Sequence, residues 1–350
     1  MVDLVLTDLH FTDDFLDYYK KSLCDKYLTT FYLENSVNRI IILGDLTEKK
    51  DNHSSKLVNY VVEFISLLTT LSHKVVILKG NHDYIDSDKP YFKFLQYIPN
   101  VCYICDIPKN NDKYIHEKEL FLPHTKTPIE DWKDIDFNKY DRIFMHQTIT
   151  GAKASNDFAL KGGLPSDYFS TFKGKVYSGD IHTPQIINNV TYIGSPYPIY
   201  FNDTFIGRYL ILEGDEEKFI ELPNIKKEYV EIFSDILEKG KIKTYLDKYV
   251  KDDQIKLRVN LYPSEYHLYG KIKKEVLEYC NKKKILLINS EMKSLSKEKE
   301  KIIKTTIQKK ENTKNDIIEE YGKRNKIDTF SLAVGKDIIR EYTNGSIIVN

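Results

Sequence analysis

The stretch KVVILKGNHD, residues 74–83, decides the fold. Residues 74–78 form a β-branched and aliphatic run of strand length. A lysine and a glycine follow, and then three side chains able to bind a metal or move a proton. A short apolar run without polar alternation is a strand buried on both faces, the form taken in parallel sheets covered by helices. The same grammar recurs on both sides of it. Strand-like runs cover Val2 to Leu6, Arg39 to Leu43, Tyr140 to Met145, Lys175 to Tyr177, Val190 to Ile193 and Tyr209 to Leu212. Between the early runs, Asp13 to Tyr32 and Ser55 to Leu71 carry apolar residues at helical spacing. The alternation predicts an α/β fold over residues 1–225. In such sheets, sites form beyond the carboxyl ends of strands, where loops from several strands converge.

The chain changes character after Pro223. Tyr229 to Phe233, Ile255 to Leu261 and Lys284 to Asn289 read as strands. Ser234 to Tyr249 and Leu268 to Cys280 read as helices, which predicts a small α/β unit over residues 226–290. From Glu291 to Asn315 the sequence is rich in Lys and Glu and poor in core residues, as in a linker or solvated helix. Asn315 to Glu341 carries Ile317, Tyr321, Phe330 and Ile338 on what reads as two short amphipathic helices whose apolar faces need a partner.

With 350 residues, the length suits two domains or one large domain with an appended piece. Aromatic and aliphatic content is ample for a core and excludes a disordered chain. No run approaches the length needed to span a bilayer, and the N-terminus enters a strand at once, so the expected location is the cytoplasm of a bacterial or phage-infected cell, without a membrane partner. Net charge is zero but unevenly spread. Residues 1–225 hold 24 Lys+Arg against 32 Asp+Glu, whereas residues 226–310 hold 22 against 13. The second region therefore suits a polyanionic partner such as DNA, against the plainer alternative of a solvated lysine-rich surface. Cys102 and Cys105 form a CxxC, but neither a second pair nor a neighbouring histidine completes a tetrahedral site, and both read as strand residues.

Five motifs fall at strand ends in order: Asp8-Leu9-His10, Gly44-Asp45, Gly80-Asn81-His82-Asp83, His146 and Gly179-Asp180-Ile181-His182. Singly, each is commoner as a turn former or a satisfied polar group. Together they can gather at one site. Their oxygen and imidazole donors suit manganese, iron, zinc or magnesium. Seven candidate ligands exceed the needs of one ion with an open position, and a shared carboxylate such as Asp45 suits a pair. Gly44, Gly80 and Gly179 free the backbone to turn where a side chain would crowd the metals.

This set resembles the calcineurin-like metallophosphoesterase superfamily over residues 1–215. Ser178-Gly179-Asp180-Ile181-His182-Thr183-Pro184-Gln185 followed by Tyr192-Ile193-Gly194-Ser195-Pro196 looks like the SbcD-type DNA double-strand-break nuclease subunits, phage relatives included. The resemblance implies a β-sandwich flanked by helices in four αββα layers, a capping domain over residues 226–290, and a C-terminal segment over residues 291–350 that docks on an SMC-type ATPase. By resemblance, Asp8, His10 and His182 would bind one divalent ion and Asn81, His146 and Asp180 the other, with Asp45 bridging. Manganese comes first and magnesium second. His82 would protonate the leaving 3′ oxygen, and the adjacent Asp83 would orient it. The implied activity is exonuclease and endonuclease cleavage of DNA ends in recombination, repair or replication, by a homodimer within an SbcCD-like complex.

Asp180 departs from the family, which usually has His there. A shorter, anionic ligand changes metal preference or hydrolytic rate. The loop from Thr148 to Pro165 is long enough to cover the site or touch DNA, and His124 follows Leu122-Pro123 on another loop, the kind of segment that often carries function. Two other readings compete. A stand-alone phosphoesterase for nucleotides or phosphoproteins shares the metal chemistry but has little use for a basic unit and charged tail. A metal-free scaffold is favoured only by Asp180 and opposed by His82.

Overall fold

The computed structural model describes residues 2–19, 37–107, 118–154, 158–201, 203–222 and 225–295, with isolated positions at 23, 28, 115, 116, 322, 324, 328 and 331. The helices expected beyond residue 295, and residues 20–32 of the helix expected over Asp13 to Tyr32, fall essentially outside that set. Of the latter, a 3-10 turn over Asp13–Phe15 leads into a helix at Leu16–Tyr19.

The aliphatic runs pair as two six-stranded mixed sheets. In the first, β1 (Val2–Leu6), β2 (Val37–Ile42), β3 (Lys74–Leu78) and β4 (Val101–Ile104) run parallel, and β11 (Arg208–Glu213) and β12 (Glu216–Glu221) add antiparallel beyond β1. In the second, β6 (Glu119–Leu122), β7 (Arg142–His146), β8 (Lys175–Gly179) and β10 (Val190–Tyr192) are parallel. Short antiparallel strands, β5 (Ile115–His116) and β9 (Gln185–Ile187), close its two edges.

The period-2 alternation of side chains explains the layers. Val5, Ile41, Val76 and Ile104 point inward and meet Phe121, Phe144 and Tyr177 of the second sheet, so the sheets share one apolar interlayer. Their neighbours Leu4, Ile40, Ile42 and Ile77 face outward onto the Ser55–Leu71 helix. Ser54 caps that helix by accepting the Leu57 N–H at 3.0 Å, and Leu57, Val61, Phe64, Ile65 and Leu68 form its buried stripe. Each such side chain contributes about 1.5–3 kcal/mol by leaving water. The outer layer on the second sheet packs Trp132, Phe169 and Phe172 against Leu120, Ile143 and Val176. It is built from the short Pro128–Asp131 helix, a 3-10 turn and loops. Helix, sheet, sheet and helix thus form the four α/β layers.

One charged cluster lies inside the interlayer. Arg39 on β2 donates to Asp3 of β1 (Nε to Oδ1, 3.1 Å) and to Glu119 of β6 (Nη1 to Oε2, 2.6 Å), and all three residues are buried. It ties one sheet to the other near the amino ends of β1, β2 and β6.

Beyond residue 225 a third, three-stranded parallel sheet forms from β13 (Lys227–Phe233), β14 (Gln254–Leu261) and β15 (Leu286–Ser294). The Tyr269–Lys283 helix covers one face of it through Ile272, Val276 and Cys280. Two expectations need correction here. The region Ser234 to Tyr249 is a 3-10 turn and a short Lys241–Leu246 helix, because Gly240 adopts a left-handed conformation (φ 87°) that interrupts any longer helix. Strand β15 runs on to Ser294, past the expected start of a linker at Glu291. Cys102 lies on β4 and Cys105 just beyond it, both as free thiols.

Candidate metal centre

The carboxyl ends of β1, β2, β3, β7 and β8 converge, and the motif residues follow directly on them. The backbone there is unusual. Asp8, His10, Asp45 and Asp180 all have positive φ (51°, 44°, 55° and 83°), a region that costs a non-glycine residue about 1–3 kcal/mol. Hydrogen bonds such as His10 N–H to the Asp45 carbonyl (2.9 Å) hold these turns in place. Of the three glycines, Gly44 alone needs the left-handed region, at φ 89°. At Gly80 and Gly179 close approach is the reason: a Cβ on Gly80 would sit 2.2 Å from Asp45 Oδ1.

Three groups of ligand atoms, each within 4.8 Å of one another, meet in this space: Asp8, His10 and His182; His10, Asp45 and His82; and Asp8, Asp45 and His146. The groups share members, so they form one centre with overlapping cation positions. Asp45 occupies its middle, with Oδ2 3.4 Å from His10 Nε2 and 3.5 Å from His146 Nε2. On one side His10 Nε2 faces His182 Nε2 at 3.0 Å; on the other His146 Nε2 lies 3.1 Å from Asn81 Oδ1.

Burial pushes the Asp8 carboxyl up to about 6, with Asp45 adding to the rise. Burial would raise Asp45 too, but His146 and His10 outweigh it and hold Asp45 well below the usual carboxylate range. Burial disfavours the charged form of His10, yet its pairing with Asp45 and Glu48 lifts it to about 10, while burial and the neighbouring His10 push His182 down to about 3. Buried acids and imidazoles sharing protons in this way are the donor set that a divalent cation fits, since the cation replaces those protons.

Asp180 is less central than the motif suggests. Its Oδ1 stands 3.9 Å from His146 Nε2, its N–H donates to Asp8 Oδ1 at 3.0 Å, and its Oδ2 accepts the Thr148 hydroxyl. The carboxylate lies outside the three converging groups, held by the first residue of the long loop after β7.

Asp83 differs from expectation in its contacts. Both of its oxygens take backbone N–H groups, from Asp45 (3.0 Å), Leu46 (3.1 Å) and Gly80 (2.6 Å). It fastens the β2 loop to the β3 loop. The His82 ring is positioned instead by the Glu48 carbonyl, 2.6 Å from Nδ1, and the His82 N–H donates to Asp45 Oδ1 at 2.7 Å.

Glu48 was not singled out in the sequence. Its carboxylate Oε2 lies 2.7 Å from His10 Nδ1, and His10 outweighs burial to hold Glu48 below its ordinary range. A carboxylate behind a ligating imidazole fixes the ring and raises its basicity. The only signal was an acid three positions beyond Asp45. Glu48→Gln is expected to weaken divalent-metal affinity about 10- to 100-fold. Titration calorimetry measures this, and an unchanged affinity would remove Glu48 from the centre. His124 also lies close: Nδ1 pairs with the Tyr84 hydroxyl at 2.8 Å, and its ring meets that of His146 at 6.0 Å. A pocket of about 730 Å³ opens beside it.

Paired buried ligand groups at the ends of parallel strands, in a four-layer α/β sandwich, define a metal-dependent hydrolase. Residues 4–288 match the calcineurin-like phosphoesterase family, and the chain belongs to it. No curated protein matches the chain. No helix of the described residues is long and apolar enough to cross a membrane.

Proposed function

We propose that the chain hydrolyses phosphate esters, of nucleotides or phosphoproteins, with a pair of divalent cations. The observation that carries this reading is the placement of Asp45 Oδ2 between His10 Nε2 and His146 Nε2. Asp8, His10 and His182 would hold one cation and Asn81 and His146 the other, with Asp180 at its margin and Asp45 shared. Manganese is the first ion to test and magnesium the second. When bound, the two ions neutralise charge on the phosphoryl group and lower the pKa of water. The remaining chemistry belongs to His82. Because the Glu48 carbonyl can only accept, His82 Nδ1 carries the hydrogen there, and Nε2 is the nitrogen that, in the imidazolium form, would pass its proton to the leaving oxygen and leave the neutral ring. With manganese and a phosphate ester whose alkoxide must be protonated to leave, such as glycerol 2-phosphate or thymidylyl-thymidine, His82→Ala is expected to lower turnover about 10²-fold, the lower range for loss of a general acid, with metal content retained. Turnover within about threefold of wild type would exclude that role.

A second reading is the SbcD-like nuclease subunit. Its support is the lysine-bearing third sheet beside the metal centre, with Lys227 and Lys256 in the cleft that also contains His10. In that reading residues 1–225 are the catalytic domain, residues 226–290 a cap on DNA, and residues 291–350 the attachment to an SMC-type ATPase, in a complex built on a homodimer. Linear duplex DNA, offered with manganese and with or without the ATPase and ATP, separates the two readings. Cleavage stimulated by the ATPase favours the nuclease; intact DNA beside hydrolysed small esters favours the stand-alone enzyme.

A further inference from the structure

His10, His146 and His182 are held in different ways. His10 Nδ1 meets the Glu48 carboxylate at 2.7 Å, and His146 Nδ1 donates to the Leu43 carbonyl, so that both Nε2 atoms turn toward Asp45. His182 also presents Nε2 to the centre, but among the described residues its Nδ1 has no hydrogen-bond partner. An imidazole that ligates a metal usually donates its second nitrogen to a carboxylate, carbonyl or water, and that bond fixes the ring. What stands against the His182 ring instead is Tyr200, with the ring centres 5.4 Å apart and the planes 37° from parallel. Tyr200 sits on a strap, residues 195–201, that is fastened at both ends. At its start the Ser195 N–H donates to the His182 carbonyl at 3.0 Å, and the Tyr197 hydroxyl donates to the Leu9 carbonyl, between Asp8 and His10. At its end Asp203 Oδ2 accepts the N–H groups of Ile199 (2.8 Å) and Tyr200 (2.7 Å), and the Ile199 carbonyl accepts Lys227 Nζ of the third sheet at 3.1 Å. The Tyr200 side chain is 46% exposed, yet its backbone is clamped.

We propose that Tyr200 is a positioning residue of the metal centre: its ring supplies by packing what a hydrogen-bond acceptor supplies behind His10 and His146, and so keeps His182 Nε2 aimed at one of the two cations. This role rests on the two-cation reading above for the place of that ion. An imidazole without an acceptor is free to turn about its bond to Cβ, and each turn takes Nε2 off the ion. A second ring against its face opposes that rotation, and paired rings attract beyond the area they bury. The ring carries the effect rather than the hydroxyl, which lies 3.5 Å from Glu48 Oε1, at the outer limit of a hydrogen bond.

The test is manganese binding to the full chain by titration calorimetry, with the denaturation midpoint as the control for folding. Tyr200→Ala is expected to weaken one of the two ions about tenfold, the lower end of what losing a partner behind a ligating imidazole costs, and to leave the other ion and the midpoint in place. Tyr200→Phe, which keeps the ring, is expected to bind both ions as the wild type does. In a His182→Ala background, Tyr200→Ala is expected to change nothing further, because a positioning residue acts only through the ligand it holds. Wild-type affinity for both ions in Tyr200→Ala overturns the proposal. So does an equal loss at both ions, a loss in Tyr200→Phe as large as in Tyr200→Ala, or an undiminished effect in the His182→Ala background. The two-cation reading fails separately, if the wild-type chain takes up one manganese ion only. A single ion that Tyr200→Ala weakens through His182 still establishes the positioning role.

Discussion

Asp45→Asn is expected to reduce bound manganese from two ions per chain to one or none and to lower phosphoester turnover by at least about 10³-fold. Loss of a bridging ligand removes several kcal/mol of charge stabilisation, and about 4 kcal/mol corresponds to that factor. Asparagine is the informative replacement. Position 45 has φ 55°, which asparagine tolerates and alanine does not, so the variant removes the shared anion without straining the turn. The fully buried Asp83 still holds the Asp45 and Leu46 N–H groups in such a variant, and the loop stays in place. Metal content by plasma spectrometry and turnover under saturating manganese are the two readings. Retention of two ions with turnover within tenfold of wild type, about 1.4 kcal/mol, would refute a bridging role.

Arg39→Met is expected to destabilise the fold by about 3–5 kcal/mol, the cost of leaving buried carboxylates without their counterion. Asp3 and Glu119 would then face each other across the interlayer, with Glu119 keeping only a longer contact to Arg142 at 3.4 Å. Denaturant midpoints measure the loss. The triple variant Asp3→Leu, Arg39→Met, Glu119→Leu is expected to recover most of it, because replacing a whole buried ion cluster by apolar groups is often neutral or stabilising. Failure of the triple variant to recover would show that the cluster contributes directional hydrogen bonds that apolar packing does not replace. The cluster lies on β1, β2 and β6 away from their carboxyl ends, so activity per folded molecule should stay at the wild-type level.

Legibility in the sequence followed the strength of the local signal. The Ser55–Leu71 helix was plain because its apolar residues recur at helical spacing, and β1, β2, β3 and β7 were plain because buried parallel strands are continuous apolar runs. Strand β12, EEKFIE, was not, since it pairs on one side only and presents charged residues to solvent. The end of β15 was misplaced for the same reason: it is an edge strand, mostly exposed, and its polar residues do not mark where pairing stops. At the metal centre, the strand-end residues were readable because topology brings strand ends together whatever lies between them. What joins them was not. Asp83 is adjacent to His82 in sequence yet bonds to the neighbouring loop, and Glu48 acts through one carboxylate contact and one carbonyl contact that no local pattern announces.

The four residues from Asp45 to Glu48 work as a single fixed ruler. One end supplies the shared anion and anchors the His82 N–H; the other end braces both the His10 ring and the His82 ring. Cation retention and proton delivery are therefore set by one short length of backbone, and an inserted or deleted residue there would disturb both together. In other members of the family, this segment should tolerate exchange of side chains on its outer face while its length stays constant.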